Sequence, residues 1–509
     1  MPSILHRACT RSSRRTPPTV AALAALAALV LAAAPAHAQP CTTDCAQTAC
    51  AVDCTELAVR DAVVTVNDCV GDPGWTGRTL TLAGPQCEID GTVVMENDAG
   101  AGSSFLGTHP GSYCPGDPED GAVCILNDDV HVVGSGASFV YDGPEPCGQC
   151  SGQCPTGAAL FTIKGNRNTV EDITFRYFPE GIHVRIGDGH TVANVTSDRI
   201  CEDAITIDNT AGTGIVVRDL TLLGSQPADA PHACVLANGS PGLCGTDKAI
   251  QVNGGASTIS GNQIHTISQP ISIGGGTHVV ADNTSHGSLT DQNVCQSYTV
   301  SGAAHVTFAG NTVDHCKFGF RIDGDATVVA DGNTVTEPWV SAFNVRTSGR
   351  LKAEGNRVRT RTSGFTNVSD AQRGIVVARS DRRARIDLGG GDFDGVSVID
   401  DAACAAGGDC SAGNNVFCST GGGAQIDIWN LTDCPCLDQF CGGVAGLCTV
   451  HSCAPLDADG GCQGSGGGGA SIGARGNCFL DAAVEVQDDG TVTTDTSGLR
   501  ACSPVECDF

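Results

Sequence analysis

One short strand motif recurs along the middle of this chain, and its spacing leaves few folds open. The motif is a polar or charged residue, a small residue, then Ile-x-(Val/Ile), as in Glu180-Gly181-Ile182-His183-Val184 and Lys248-Ala249-Ile250-Gln251-Val252. It begins at Glu180, Asp203, Lys248, Gln269, Gln296, Phe318, Ser341 and Arg373, in steps of 23, 45, 21, 27, 22, 23 and 32 residues. Most steps lie near 22. That is too short for a strand-helix-strand unit of roughly 30 residues, and it suits one coil of a parallel β-helix. The expected fold is all-β, a solenoid of about 8–10 coils stacked one on the next.

A second strand type alternates with the first: apolar-x-apolar, ending at or near Asn or Asp. It ends at Asn194, Asn262, Asn283, Asn311, Asn333 and Asn356. The recurring Asn is expected to stack at a turn, each side chain bonding the coils above and below. Within the first motif, strand alternation points Ile and Val inward and leaves the intervening residue outside. The long 45-residue step holds an insertion, Ser225 to Gly245, that Cys234 and Cys244 could close. Such insertions project from turns and often wall a groove.

The ends depart from the repeat. Arg7, Arg11, Arg14 and Arg15 precede an apolar run from about Val20 to Ala34, and Ala36-His37-Ala38 supplies a small-x-small cleavage pattern. Residues 1–38 therefore read as a signal peptide cleaved after Ala38. Residues 39–155 read as a Cys-rich cap with early irregular coils, including strand-like Thr92-Val93-Val94-Met95. Thr55 to Cys69 is expected to form an amphipathic helix plugging the N-terminal end. Residues 156–400 form the β-helix core, and 401–509 the Cys/Gly-rich last coils and cap. No later stretch is apolar enough to span a bilayer, so the expectation is an exported, soluble monomer.

Of 29 cysteines, Cys9 leaves with the leader, and the remaining 28 suit disulfides in an oxidising compartment. Cys147-x-x-Cys150-x-x-x-Cys154 could hold zinc in principle, but no second pair with zinc-finger spacing follows. The formal charge of −28 becomes −32 without the four leader arginines. So acidic a surface argues against nucleic acid, whose binding needs clustered cations. Between Arg346 and Arg385, eleven Lys/Arg face only Glu354, Asp370 and Asp381. Stacked coils could gather them into one basic patch for an acidic polysaccharide, or spread them as a solvated face.

If the coils stack in phase, Glu180, Asp203, Lys248, Gln269 and Gln296 share one outward column. His183, Thr206, Gln251, Ser272 and Thr299 share the next, and Arg185, Asp208 and Asn253 a third. Coils stand about 4.8 Å apart, so Glu180 and Asp203, with Glu202 beside them, could share a hard cation such as Ca2+ that relieves their repulsion. Lys248 could complete an ion pair, hold a substrate carboxylate, or act as a base. His183, Asp208 and Gln251 are the candidate substrate contacts on the same wall. An acidic ladder balanced by one lysine, without function, is the plainer reading.

Three linked motifs carry a family likeness: Cys201-Glu202-Asp203-Ala204, then Asp247-Lys248-x-Ile250-Gln251-x-Asn253-Gly254 one coil later, and Glu180-Gly181-Ile182-His183 one coil earlier. Over about residues 175–255 the chain resembles polysaccharide lyase family three, the secreted pectate lyases. The resemblance implies a right-handed parallel β-helix that cleaves polygalacturonate by β-elimination with calcium. By position it implies Glu180, Glu202 and Asp203 as calcium ligands, Glu180 standing where the family has aspartate, and Lys248 as a site lysine.

One coil further on, the family pattern has a lysine and, three residues later, an arginine implied as the base. Here that coil reads Ser268-Gln269-Pro270-Ile271-Ser272-Ile273, with no basic residue. Arg185 is the nearest replacement, while Lys317 and Arg321 lie about four coils, roughly 19 Å, past Asp203. Two functions follow: a calcium-dependent lyase acting on a pectate-like polysaccharide with Lys248 and Arg185 as its catalytic cations, or a non-catalytic β-helix that binds acidic glycans. An inverting glycosidase lacks support, since no Asn-Thr-Asp or Gly-His-Gly signature and no spaced aspartate trio is present.

Overall fold

In the computed structural model the small-Ile-x-Val strands stack without a break in register. The structure describes residues 39–84, 86–89, 123–141, 159–176, 178, 180–200, 202–224, 248–289, 295–346, 348–360, 373–378 and 385–388. Beyond 410 it describes only short strand and turn segments up to residue 507. The signal peptide, Thr92 to Met95, Cys147 to Cys154, Cys201 and the 225–245 insertion lie outside the described residues.

Twelve described strands form one parallel sheet running from Val123–Ile125 to Val484–Gln487. The second strand type and a short third strand in each coil join a further 25-stranded assembly, also parallel. Each coil thus has three sides, and the chain is a parallel β-helix. The twelve rungs exceed the expected eight to ten. Val123–Ile125, Ala159–Ile163, Ile426–Trp429 and Val484–Gln487 pair in the same sheet while departing from the motif.

Register explains the motif. Ile182, Ile205, Ile250 and Ile271 follow one another on adjacent rungs, continued by Tyr298, Phe320 and Phe343. All are buried, and each fully buried side chain of this kind is worth about 1.5–3 kcal/mol. The later rungs swap Ile for rings that pack on each other, Tyr298 edge-on to Phe320 at 5.6 Å and Phe320 stacked on Phe343 at 5.4 Å. The preceding small residue has its own cause. A Cβ on Gly181 would come within 2.0 Å of the Ala204 carbonyl and 2.6 Å of the Phe175 ring. Glycine is therefore required at 181, while neighbouring rungs of the same column take Leu160, Ala204, Ala249 and Pro270.

The asparagine stack is present and fully bonded. Asn262, Asn283, Asn311, Asn333, Asn356 and Asn415 follow one another, all buried. Each Oδ1 from Asn283 onward accepts both the backbone N–H and the Nδ2 of the asparagine one coil earlier, as Asn311 does from Asn283 at 3.1 and 3.0 Å. Each Nδ2 also donates to a main-chain carbonyl of the coil before, as Asn311 does to Val280 at 2.8 Å. Asn194 does not belong to this ladder. It sits one place earlier, in a left-handed column (Asp172, Asn194, Asp219, Gly261, Asp282, Gly310, Gly332, Gly355) with φ between 49° and 68°. Asp, Asn and Gly are the residues that tolerate that conformation, which is why the two columns look alike in sequence.

The N-terminal helix is Glu56–Asn67, capped by Thr55, whose side chain accepts from the Ala58 N–H. Val59, Val63 and Val66 join the core with Leu80 and Val123, so the helix closes the solenoid end as expected. Arg78, buried, donates to the carbonyls of Gln47, Thr42 and Asp44. Disulfides Cys41–Cys50 and Cys45–Cys69 staple this cap, and Cys295–Cys316 joins adjacent coils.

The basic residues from Arg346 onward do not gather into one patch. Arg346 ends a strand of the twelve-stranded sheet, Arg350 and Lys352 lie on the next side, and Arg357 and Arg359 on the third. The run is longer than one coil and so passes around the solenoid, with Arg373 and Arg385 on the next coil beside Ser341 and Arg350. Arg361, Arg379, Arg382 and Arg383 lie outside the described residues.

Two buried histidines in one inward column set an acid sensitivity. His190 Nε2 donates to the Ile186 carbonyl at 2.9 Å, and its Nδ1 accepts from the Asn168 N–H at 3.3 Å. His278 repeats this, with Nε2 donating to the Gly275 carbonyl and Nδ1 paired with the Ser257 hydroxyl at 2.9 Å. Burial pushes both below the ordinary histidine value. The unfolded chain therefore binds more protons, and stability falls as pH drops below about 6.5. The thermal midpoint is expected to fall between pH 7.5 and pH 5.0, and the double substitution His190→Gln with His278→Gln should flatten that slope. An unchanged slope would assign the acid response to other groups.

Candidate functional site

The twelve-stranded sheet presents three outward columns, and the expected registers are the observed ones. Asp203 pairs with Lys248, and Lys248 with Gln269. Ile182 pairs with Ile205, which sets Glu180 on the rung beside Asp203. The middle column runs Thr162, His183, Thr206, Gln251, Ser272, Thr299 and Arg321. Main-chain bonds Arg185 to Ile163, Asp208 to Val184 and Asn253 to Ile207, at 2.9 Å each, place Arg185, Asp208 and Asn253 on successive rungs.

The side chains form two ion pairs on neighbouring rungs. Lys248 Nζ stands 3.5 Å from Asp203 Oδ2, with both side chains largely covered. Arg185 Nη1 donates to Asp208 Oδ2 at 2.6 Å. Asn253 Nδ2 adds a bond to Asp208 Oδ1 at 3.4 Å, and Gln251 Nε2 reaches Asn253 Oδ1 at 3.0 Å. Arg185, Asp208, Asn253 and Gln251 therefore form one polar chain across three rungs. Parallel stacking causes this: residues a coil apart in sequence become neighbours about 4.8 Å apart.

Some positions differ from their expected openness. His183 faces outward yet is 2% exposed, with Nδ1 3.6 Å from Glu180 Oε2, and Thr206 is 7% exposed. Only from Gln251 onward does the middle column reach half-buried positions. The wall is thus covered at its Glu180 end and accessible toward Lys248 and Gln269. Glu202 is half-buried, and its carbonyl accepts from the Lys248 N–H. Among the described residues, the ligand atoms of Glu180, Glu202 and Asp203 do not all lie within 4.8 Å of one another. The described trio that meets that distance is Cys418, Cys502 and Cys507, all disulfide-bonded, Cys418 to Cys507.

The coil after Lys248 offers Gln269, Pro270 and Ser272 and no cation. Lys317 and Arg321 stand four rungs past Asp203. Arg321 pairs with Asp323 at 2.7 Å, and burial beside Arg321 lowers the Lys317 ammonium below its ordinary value. Sequence reading missed one cation on the wall. Lys164 bonds its N–H to the Ile125 carbonyl as Arg185 does to Ile163, which puts it one rung before Arg185 in the third column. Its strand, Ala159–Ile163, has Leu-Phe where the motif has small-Ile, so only its alternation could have signalled it. No described helix is long and apolar enough to cross a membrane.

Residues 248–426, about a third of the chain, match the family described as right handed beta helix region. No curated protein matches the sequence. Among solved structures, an alginate lyase from Paenibacillus sp. str. FPU-7 is similar at 12% identity and a TM-score of 0.43. That alignment covers 66% of this chain and 98% of the lyase. The family match agrees with the coil geometry: the chain is a right-handed parallel β-helix.

Proposed function

We propose that the wall around Asp203 and Lys248 binds an acidic polysaccharide and cleaves it by β-elimination with calcium. The observation that carries this reading is the in-register set of Glu180, Asp203, Lys248, Arg185 and Asp208 on three consecutive rungs of one sheet. Elimination at a uronate takes the C5 proton, breaks the C4–O bond, and leaves a C4–C5 double bond. It needs cations on the carboxylate and a group for the proton.

By donor type the wall suits a hard cation, and its carboxylates would have to draw together to share one. Glu180, Glu202 and Asp203 offer only oxygen, and Asp203 already holds the Lys248 ammonium at 3.5 Å. Calcium held there would neutralise the uronate carboxylate and so acidify C5. With calcium taking over Asp203, Lys248 would lose its counter-ion and, in its neutral amine form, be the residue of this chain placed to take the proton. Arg185, fixed by Asp208, orients the polyanion, with Gln251 and Asn253 beside it. Export through the leader and action as a monomer complete the proposal.

The test is ultraviolet absorbance of unsaturated uronide, using the full mature chain on polygalacturonate and on alginate, with calcium and with chelator. Calcium-dependent absorbance on either polymer supports the reading. Its absence from folded protein on both would sink it. A second reading, a non-catalytic glycan binder, is favoured by the Gln269–Ile273 coil without a cation and by an Arg185 that is already paired with Asp208. Retention on a polygalacturonate column without product release would select it.

A further inference from the structure

The short third strands of each coil carry a cluster that the wall does not use. His265 ends Gln263–His265, His286 ends Thr284–His286 and Asp314 ends Thr312–Asp314, three consecutive rungs in one outward column. The His265 and His286 rings stack at 5.1 Å with 20° between their planes. His286 Nδ1 lies 3.4 Å from Asp314 Oδ2. That is long for a hydrogen bond, whose usual N···O distance is about 2.9 Å. It matches the separation of roughly 3.4 Å between two donors on one tetrahedral ion with bonds near 2.0–2.1 Å.

The carboxylate is also braced from behind. Asp314 Oδ1 accepts from the Thr336 hydroxyl and stands 2.8 Å from His315 Nδ1. His315 Nε2 in turn meets Glu337 Oε2 at 3.0 Å. The Glu337–His315–Asp314 relay occupies Oδ1 and turns Oδ2 toward His286, as outer partners orient ligating carboxylates in metal sites. The His286 side chain is 42% exposed, so an ion has access. The third donor is not yet in place: the ligand atoms of His265, His286 and Asp314 do not all lie within 4.8 Å of one another. His286 and Asp314 are a preformed pair, and the His265 ring has to turn about its side-chain bonds to join them.

We propose that His286 and Asp314, closed on binding by His265, hold a divalent transition-metal ion of the zinc type, with its remaining position open to water or a ligand. Two imidazoles and one carboxylate form a borderline donor set that suits such an ion better than calcium. The site is on a different side of the solenoid from the Asp203 wall and does not rest on the lyase reading.

The test titrates zinc chloride into untagged, chelator-dialysed full-length mature protein by calorimetry, with cobalt(II) visible absorption as a second readout. One saturable zinc equivalent and a tetrahedral cobalt spectrum are expected. His265→Ala, His286→Ala and Asp314→Asn should each weaken binding about tenfold or more, while His305→Ala, on the neighbouring side, should leave it unchanged. Circular dichroism confirms that the variants fold, and the wild-type cobalt spectrum decides the matter if they do not. No saturable binding, or wild-type affinity in any of the three folded variants, would overturn the assignment.

Discussion

Asn311→Leu is expected to lower stability by roughly 3–5 kcal/mol, among the largest effects of a single substitution. The asparagine accepts the Asn283 N–H and Nδ2 at 3.1 and 3.0 Å and donates to the Val280 carbonyl and Asn333 Oδ1 at 2.8 and 2.9 Å. Leucine is of similar size but leaves at least two donors and a carbonyl buried with no partner, each costing about 1–3 kcal/mol. The neighbouring Thr312→Ala, on the outward side of its strand, should cost within about 0.5 kcal/mol. Urea unfolding followed by circular dichroism measures both. Equal midpoints for the two variants would mean that the ladder contributes no more than a surface threonine.

Asp203→Asn is expected to cut lyase turnover by about 10²–10³-fold and to remove most of the response to calcium. The change keeps shape and removes the charge that faces Lys248 Nζ at 3.5 Å. Lys248→Met should reduce turnover by a similar factor. It should leave calcium affinity equal or tighter, since a positive charge has left the carboxylate column. Initial rates of unsaturated uronide formation, with calcium binding by calorimetry, separate the two. Full activity in both variants would place the chemistry elsewhere. Loss of turnover with unchanged calcium affinity in Asp203→Asn would keep the catalytic wall and remove its metal.

Much of this was legible in the sequence because a solenoid turns sequence period into spatial neighbourhood. A step of 23 or 45 residues told which side chains share a column, and the observed pairs Asp203 with Lys248 and Thr206 with Gln251 follow from it. What the period could not convey was which neighbour a side chain would take. Arg185 reads as a substitute cation for chemistry, yet it donates to Asp208 at 2.6 Å. His183 reads as an outward contact, yet it is buried against Glu180. The eleven basic residues could read as a patch, yet the described ones spread over three sides of two successive coils. Alternation gives a side, and packing gives exposure.

The repeat by itself determined the fold, because Ile-x-Val strands at a step near 22 residues can bury their inward faces only by stacking on copies of themselves. It also determined the asparagine ladder, whose donors and acceptors match only a copy of themselves one coil away. The tertiary structure alone decided which polar columns are open and which sealed. It also brought His265, His286, Asp314, His315 and Glu337 near one another from separate coils. The physical reason is that these contacts depend on side-chain direction and cover from neighbouring turns, distances of a few ångströms that a period in residues does not encode.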